Sequence, residues 1–211
     1  MKVLVFSDTH LTDKFEEDKY LFIKGLLLGV DKVVVNGDFW DGYLTSFDKF
    51  INSDWKKLLK LLSDKDVVYV VGNHDKGSNF AGCIEVHLLK VGKNHYRIEH
   101  GDRLDKLSVF DKFGINPVMK GIYRILKLFE KWGVRRWGKN FLNIIYKGYN
   151  EMLKNEIKKE IKRKEIYVCS HSHIAEIDVI NRFVNTGMID CGLGQYAVID
   201  EDGPHLFEEK Y

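Results

Sequence analysis

Apolar and polar positions divide the 211-residue chain into short buried runs, five of which end in a polar cluster. Val3 to Phe6 runs into Asp8-Thr9-His10, Val33 to Val35 into Asn36-Gly37-Asp38-Phe39-Trp40-Asp41, and Val67 to Val71 into Gly72-Asn73-His74-Asp75. Tyr96 to Ile98 leads into His100-Gly101-Asp102, and Ile166 to Cys169 into His171-Ser172-His173. A β-branched run of four or five residues closed by Gly, Asn or Asp reads as a buried strand entering a loop. Each polar cluster therefore sits just past a strand's carboxyl end, where open α/β sheets build their sites.

Between these runs the period changes. Phe15 to Val30 and Phe47 to Leu62 read as helices, giving a strand-helix-strand rhythm. After His173, the segments Ile177 to Ile180, Phe183 to Val184, Tyr196 to Ile199 and His205 to Phe207 read as short strands joined by polar turns. From Val118 the apolar positions Ile122, Ile125, Leu126, Phe129 and Trp132 recur at three and four. A second series runs Phe141, Leu142, Ile145, Tyr149, Met152, Leu153, Ile157 and Ile161. Gly133 breaks the pattern between the two series, which predicts a helical hairpin or small cap.

Composition fits a single catalytic domain spanning 1–211, since 45% apolar and 13% aromatic residues support a sizeable core. The three cysteines, Cys83, Cys169 and Cys191, are odd in number and lack metal-finger spacing, so a reduced, cytoplasmic setting is expected. No uncharged run of helix-spanning length and no basic leader precedes the first strand, so neither a signal peptide nor a transmembrane helix is expected.

The net charge of +2 conceals an asymmetry. Residues 103–165 hold 17 Lys and Arg against 7 Asp and Glu, whereas the rest of the chain holds 16 against 24. This basic segment lies between His100 and His171, so it is an insertion over or beside the polar clusters. Trp132, Arg135, Arg136, Trp137 and Lys139 form its densest basic-aromatic group. Three readings fit: Arg135 and Arg136 bind an anionic, partly apolar substrate, the cap rests peripherally on an anionic membrane, or the basic face is simply solvated.

The chemistry lies in the spacing. Residues two apart in an extended segment point the same way, so Asp8 and His10 can reach one ion, and so can His171 and His173. Asp8, His10, Asp38, Asn73, His100, His171 and His173 make seven O and N donors, too many for one tetrahedral ion but suited to two that share a carboxylate. Taken singly, each has a plain structural role: Asp8 or Asp38 as a helix cap, Asn73 as a turn former, a His as an interior hydrogen-bonding group. Their recurrence after five separate strands favours metal. His87, His95 and His205 lie outside the clusters and are read as ordinary.

In this order the blocks resemble the calcineurin-like metallophosphoesterases, whose signature is D-x-H, G-D-x-x-D, G-N-H-D/E, a lone His and G-H-x-H. The resemblance spans residues 1 to about 102 and about 166 to 200, with Ser170 where the family usually has Gly. It implies a four-layered α/β/β/α sandwich of two mixed sheets, carrying the helical cap as an insertion at about 103–165. It also implies one divalent ion on Asp8, His10, Asp38 and His173, and a second on Asp38, Asn73, His100 and His171, with Asp38 bridging. Mn²⁺ is the expected metal, and the same donors admit Fe, Zn or Co. His74 would stand at the leaving group, oriented by Asp41, with Asp75 either behind the ligands or facing water.

The activity so implied is two-metal hydrolysis of a phosphoester or pyrophosphate bond in a phosphorylated small molecule or nucleotide-linked substrate. A helical insertion before the last H-x-H, together with His100-Gly101-Asp102, resembles the UDP-2,3-diacylglucosamine hydrolase branch, which implies a UDP-linked or lipid-like substrate. Part of that branch has Arg where this chain has His74. Two alternatives fit the same residues: a nuclease or cyclic-nucleotide phosphodiesterase whose cap meets nucleic acid, and a non-enzymatic metal-binding scaffold like the family's retromer subunit.

Overall fold

The computed structural model describes residues 1–76, 78, 80, 82–105, 116–162 and 164–211. Of the insertion expected at about 103–165, residues 106–115 and 163 lie outside the described residues.

Eleven strands among the described residues form two mixed sheets. In the first, β1 (Val3–Phe6), β2 (Lys32–Asn36) and β3 (Asp66–Val70) run parallel. Antiparallel β10 (Leu193–Asp200) and β11 (Gly203–Lys210) extend it on the far side of β1, and β9 (Ile189–Asp190) pairs with β10. The second sheet runs in the order β4 (His87–Val91), β5 (Asn94–Ile98), β6 (Glu165–Cys169), β8 (Phe183–Asn185), β7 (Glu176–Asp178). Its central strands β5, β6 and β8 are parallel and its outer pairs antiparallel.

Strand periodicity builds the layers. Val3, Val5 and Val34 face the second sheet and pack with Leu89, Val91, Tyr96, Ile98, Val168 and Val184. Leu4, Phe6, Val33 and Val35 point the other way, onto α1 (Glu17–Leu26), α2 (Phe47–Ile51) and α3 (Lys56–Ser63) through Ile23, Phe50, Leu58 and Leu62. On the outer face of the second sheet, Tyr167, Cys169 and Phe183 are covered by Leu153 and Ile157 of a further helix, Tyr149–Ile157. Each of these fully buried aliphatic side chains contributes about 1.5 to 3 kcal/mol of transfer free energy. The order helix, sheet, sheet, helix is the four-layered sandwich expected.

The insertion differs from the expected hairpin. Helix α4 (Pro117–Trp137) runs unbroken through Gly133. It begins with Asn116 accepting from the Met119 amide at 2.9 Å and with Pro117 in its first turn, and it ends at Gly138, where φ is 57°. Gly133 is there because the Phe141 ring of α5 (Lys139–Ile145) packs directly on its backbone; a Cβ would lie 2.3 Å from that ring. The second apolar series is likewise two helices, α5 and α6 (Tyr149–Ile157), separated at Gly148, whose φ is 81°. Only α4 and α5 cap the fold, because α6 is the fourth layer itself. Phe47 to Leu62, expected as one helix, is α2 and α3, with Ser53 capping the turn between them through the Trp55 amide at 3.3 Å. The pattern of residues predicts neither β4 nor β9, because β4 lacks a β-branched run and β9 is two residues long.

Candidate metal centre

The carboxyl ends of β1, β2, β3, β5 and β6 meet along one edge of the sandwich, which brings all seven candidate donors together. Asn36 joins the two sheets there, its Nδ2 donating to the Glu99 carbonyl at 3.2 Å. Asp8, His10 and His173 converge as one group, and Asp38, His100 and His171 as a second; within each group the donor atoms lie within 4.8 Å of one another. Asp8 Oδ1 is 3.3 Å from His173 Nε2, and Asp38 Oδ2 is 3.3 Å from His100 Nε2. Asn73 lines the same cavity. A third trio, His10, Asp41 and His74, is equally compact, because the His10 Nδ1 edge faces Asp41 Oδ2 at 3.9 Å.

The backbone is strained to achieve this. Asp8, His10, Asp38, His171 and His173 all have φ between 45° and 65°, a left-handed region that side chains other than Gly rarely adopt. Each such residue costs of order 1 to 3 kcal/mol, and such strain gathers at functional sites. Two glycines make room for the donors. A Cβ on Gly72 would lie 2.2 Å from Asp38 Oδ1, and one on Gly37, whose φ is 84°, would lie 2.3 Å from His100 Nδ1.

These residues fit divalent cations on chemical grounds. Asp8 Oδ1, Asn73 Oδ1 and His100 Nε2 are buried without a hydrogen-bond partner among the described residues, as cation-directed atoms would be. His100 Nδ1 is 2.9 Å from both the Asn36 carbonyl and Ser170 Oγ, so its proton is held on Nδ1 and Nε2 is turned to Asp38. Ser170 thereby helps fix the orientation of a candidate donor. The local charge tells the same story. Burial opposes protonation of His173, yet Glu130 and Asp8 outweigh it and carry the imidazole to about 10. Burial likewise opposes charge on His100, and Asp38 and Asp8 overcome it, raising it well above its ordinary value. Buried carboxylates thus draw protons to positions where a cation would replace them.

His74 lies beside this centre. Its Nδ1–H donates to Asp41 Oδ1 at 3.2 Å, and its Nε2 is 3.8 Å from Asp38 Oδ2. Burial pushes the imidazole down, but Asp38 and Asp41 more than compensate, leaving it above the ordinary histidine value. Asp75 does not face water. It is buried and accepts from the amides of Phe39, Trp40 and Gly72, clamping two site loops together; burial and then Asp38 raise it to about 7.

Several site residues come from outside the motifs. From α4, Tyr123 donates to Asp41 Oδ2 at 3.0 Å, and Glu130 accepts from His173 Nδ1 at 2.9 Å and from Tyr146 at 2.9 Å. Although burial opposes its ionisation, Lys127 and His173 hold Glu130 down at about 2. Lys127 reaches Asp190 at 3.1 Å, which also binds Lys19 at 2.8 Å, so the cap is tied to the body by buried charge. Asp105 lies 3.3 Å from His171 Nε2 and accepts from Tyr149. The only advance signal for Tyr123, Lys127 and Glu130 was their 3-4 spacing, which resembles any core stripe. Together Tyr43, Tyr123, Tyr146, Tyr149 and Leu126 wall a cavity of about 270 Å³ over the donors. Arg135 and Arg136 are exposed in the last turn of α4 and do not line it.

Residues 1–201 match the family model of the calcineurin-like phosphoesterase superfamily domain. No curated protein matches the chain by sequence. Among solved structures, a single-substitution variant of Vps29 from Entamoeba histolytica is similar over 100% of this chain and 99% of its own, with 15% identity and a TM-score of 0.50. Wild-type Vps29 complexed with Zn²⁺, from the same organism, is similar over 100% and 99% at 14% identity and a TM-score of 0.48. The phosphoesterase YfcE from E. coli is similar over 96% and 90% at 15% identity and a TM-score of 0.47. The first likeness shows a shared fold. The family match runs from the first strand through β10 and takes in every one of the donors, and the chain belongs to the calcineurin-like phosphoesterase superfamily.

Proposed function

We propose that the chain hydrolyses a phosphoester or pyrophosphate bond with the help of two divalent cations. Asp8, His10, Asp38 and His173 would hold one, and Asp38, Asn73, His100 and His171 the other. Mn²⁺ suits these donors, as do Fe, Zn and Co. Such a pair supplies Lewis-acid polarisation of a phosphate and a water acidic enough to attack near neutral pH. The observation that carries this reading is the convergence of seven donors on one recess, with Asp8 Oδ1, His10 Nδ1, Asn73 Oδ1 and His100 Nε2 buried and unpartnered among the described residues.

The side chains supply the rest. Asp41 accepts the Nδ1 proton of His74, so Nε2 is the edge presented to the site and can protonate a departing oxygen. Tyr123 holds the other oxygen of Asp41, and Tyr43 packs against the His74 ring with centroids 3.9 Å apart, which limits rotation of the imidazole. Glu130 and the Asn36 carbonyl orient His173 and His100. The tyrosine-lined recess suits a small phosphorylated molecule with a planar or apolar part, such as a nucleotide-linked compound or a compact phosphodiester.

A panel of aryl phosphomonoesters, aryl phosphodiesters and UDP-linked sugars, assayed with added Mn²⁺, tests the proposal. Turnover of at least one class is expected, with His74→Ala retaining metal but slowing substrates with poor leaving groups by about 10² to 10⁴. Nitrophenyl esters, whose leaving group needs no proton, should lose less. Metal binding without turnover of any class would reject the enzyme in favour of a scaffold.

A further inference from the structure

Helix α4 has a buried face and, on its other side, an apolar stripe that the fold covers only in part, at Phe129 against Phe141. Tyr123, Glu130 and Val134 face inward and are buried. On the opposite side, Val118, Ile122, Ile125, Phe129 and Trp132 follow one another at intervals of four and three, which places them on one face of the helix. Val118 is 71% exposed, Ile125 67% and Trp132 56%. The stripe continues onto α5 through Trp137, whose ring lies edge-on to Trp132 at 4.9 Å, and through exposed Ile144. Leu126, one step round the helix, lines the cavity, so the stripe begins at the mouth of the site. Contiguous apolar surface of this kind marks an interaction site.

Charge identifies the occupant. Between residues 116 and 150 the chain has eight Lys and Arg and one acidic residue, Glu130, which is buried. Exposed Arg124 and Arg135 lie to one side of the stripe and Arg136 on it, and the three make no ion pair among the described residues. A second copy packed on the same seam would set these cations against their own counterparts. An anionic lipid surface complements them while taking up the Val, Ile, Phe and Trp side chains, as amphipathic interfacial helices do. No described helix is long and apolar enough to cross a membrane.

We infer that α4 and α5 dock the protein on the surface of an anionic bilayer, with the stripe in the headgroup region and the site mouth beside it. This stands on the surface alone and does not depend on the proposed activity. The test is co-sedimentation of the purified chain with vesicles of phosphatidylcholine, or of phosphatidylcholine and phosphatidylglycerol in equal parts, at low and high salt. Binding is expected only to the anionic vesicles, weakening as salt rises, with a blue shift of tryptophan emission. Arg135→Ala with Arg136→Ala should weaken partitioning by about 30-fold. Ile125→Asp with Trp132→Asp should abolish it, with thermal unfolding of both variants confirming that the fold persists. Four results would each overturn the inference: no binding to anionic vesicles, equal binding to neutral ones, unchanged binding by the Arg135→Ala/Arg136→Ala pair, or a solution dimer that dissociates on Ile125→Asp.

Discussion

The same substitution at two glycines of one helix should act in opposite directions. Gly121 and Gly133 both lie inside α4, where a Gly costs roughly 0.5 to 1 kcal/mol relative to Ala through backbone entropy. A Cβ at Gly121 meets nothing within 4 Å, so Gly121→Ala should stabilise the protein by up to about 1 kcal/mol. At Gly133 the same methyl would sit 2.3, 2.3 and 2.5 Å from three atoms of the Phe141 ring. That ring has nowhere to go, because Phe129 packs on it edge-on at 5.3 Å and Trp137 stacks on it at 6.1 Å. Overpacking of this kind costs about 1 to 3 kcal/mol, which outweighs the propensity gain and leaves Gly133→Ala destabilised by up to about 2 kcal/mol. At about 2 to 4 °C per kcal/mol for a chain of this size, calorimetry should show Gly121→Ala melting a few degrees above the parent and Gly133→Ala a few degrees below it. If both variants melted higher, the close packing of α5 on α4 would be refuted, and with it the rigid roof over the site.

Other expectations follow from the site. Glu130 is held at about 2 against an ordinary 4.5, so in the metal-free protein its ionised form contributes about 3 kcal/mol at neutral pH, lost as pH falls from about 4.5 toward 2; urea unfolding at several pH values should show Glu130→Gln destabilised at neutrality and flatter than the parent through that window. In the metal-free protein His74 is raised above its ordinary value, so its protonated form persists into higher pH and is lost as pH rises; an NMR titration of the metal-free chain should show Asp41→Asn moving that loss to lower pH. Gly72→Ala places a methyl 2.2 Å from Asp38 Oδ1, so calorimetric titration with Mn²⁺ should show lost binding while the circular dichroism spectrum is retained.

What could be read from the residues was whatever depends on short-range pattern. The five β-branched runs and their polar ends place the donors, because strand period and strand length are local properties, and Asp8, Asp38 and His173 are found where those runs end. Gly133 shows where local reading fails. A glycine inside an apolar series looks like a break, but this one is small because Phe141, eight residues on, needs its space. Tyr123, Lys127 and Glu130 were hidden for a related reason: only the docking of α4 over the loops after β2 and β6 decides that this stripe faces Asp41 and His173 and not an ordinary core. The α6 helix read as cap because its apolar period cannot say which surface it covers, and it covers the second sheet.

In the proposed centre Asp38 stands between two cation sites. Metal content measured by plasma mass spectrometry after saturation with Mn²⁺ and removal of excess ion tests it most directly. Two equivalents per chain are predicted for the parent, and Asp38→Asn, checked for retained fold by circular dichroism, should lose both. One equivalent or none in the parent, or two retained by Asp38→Asn, would contradict the account.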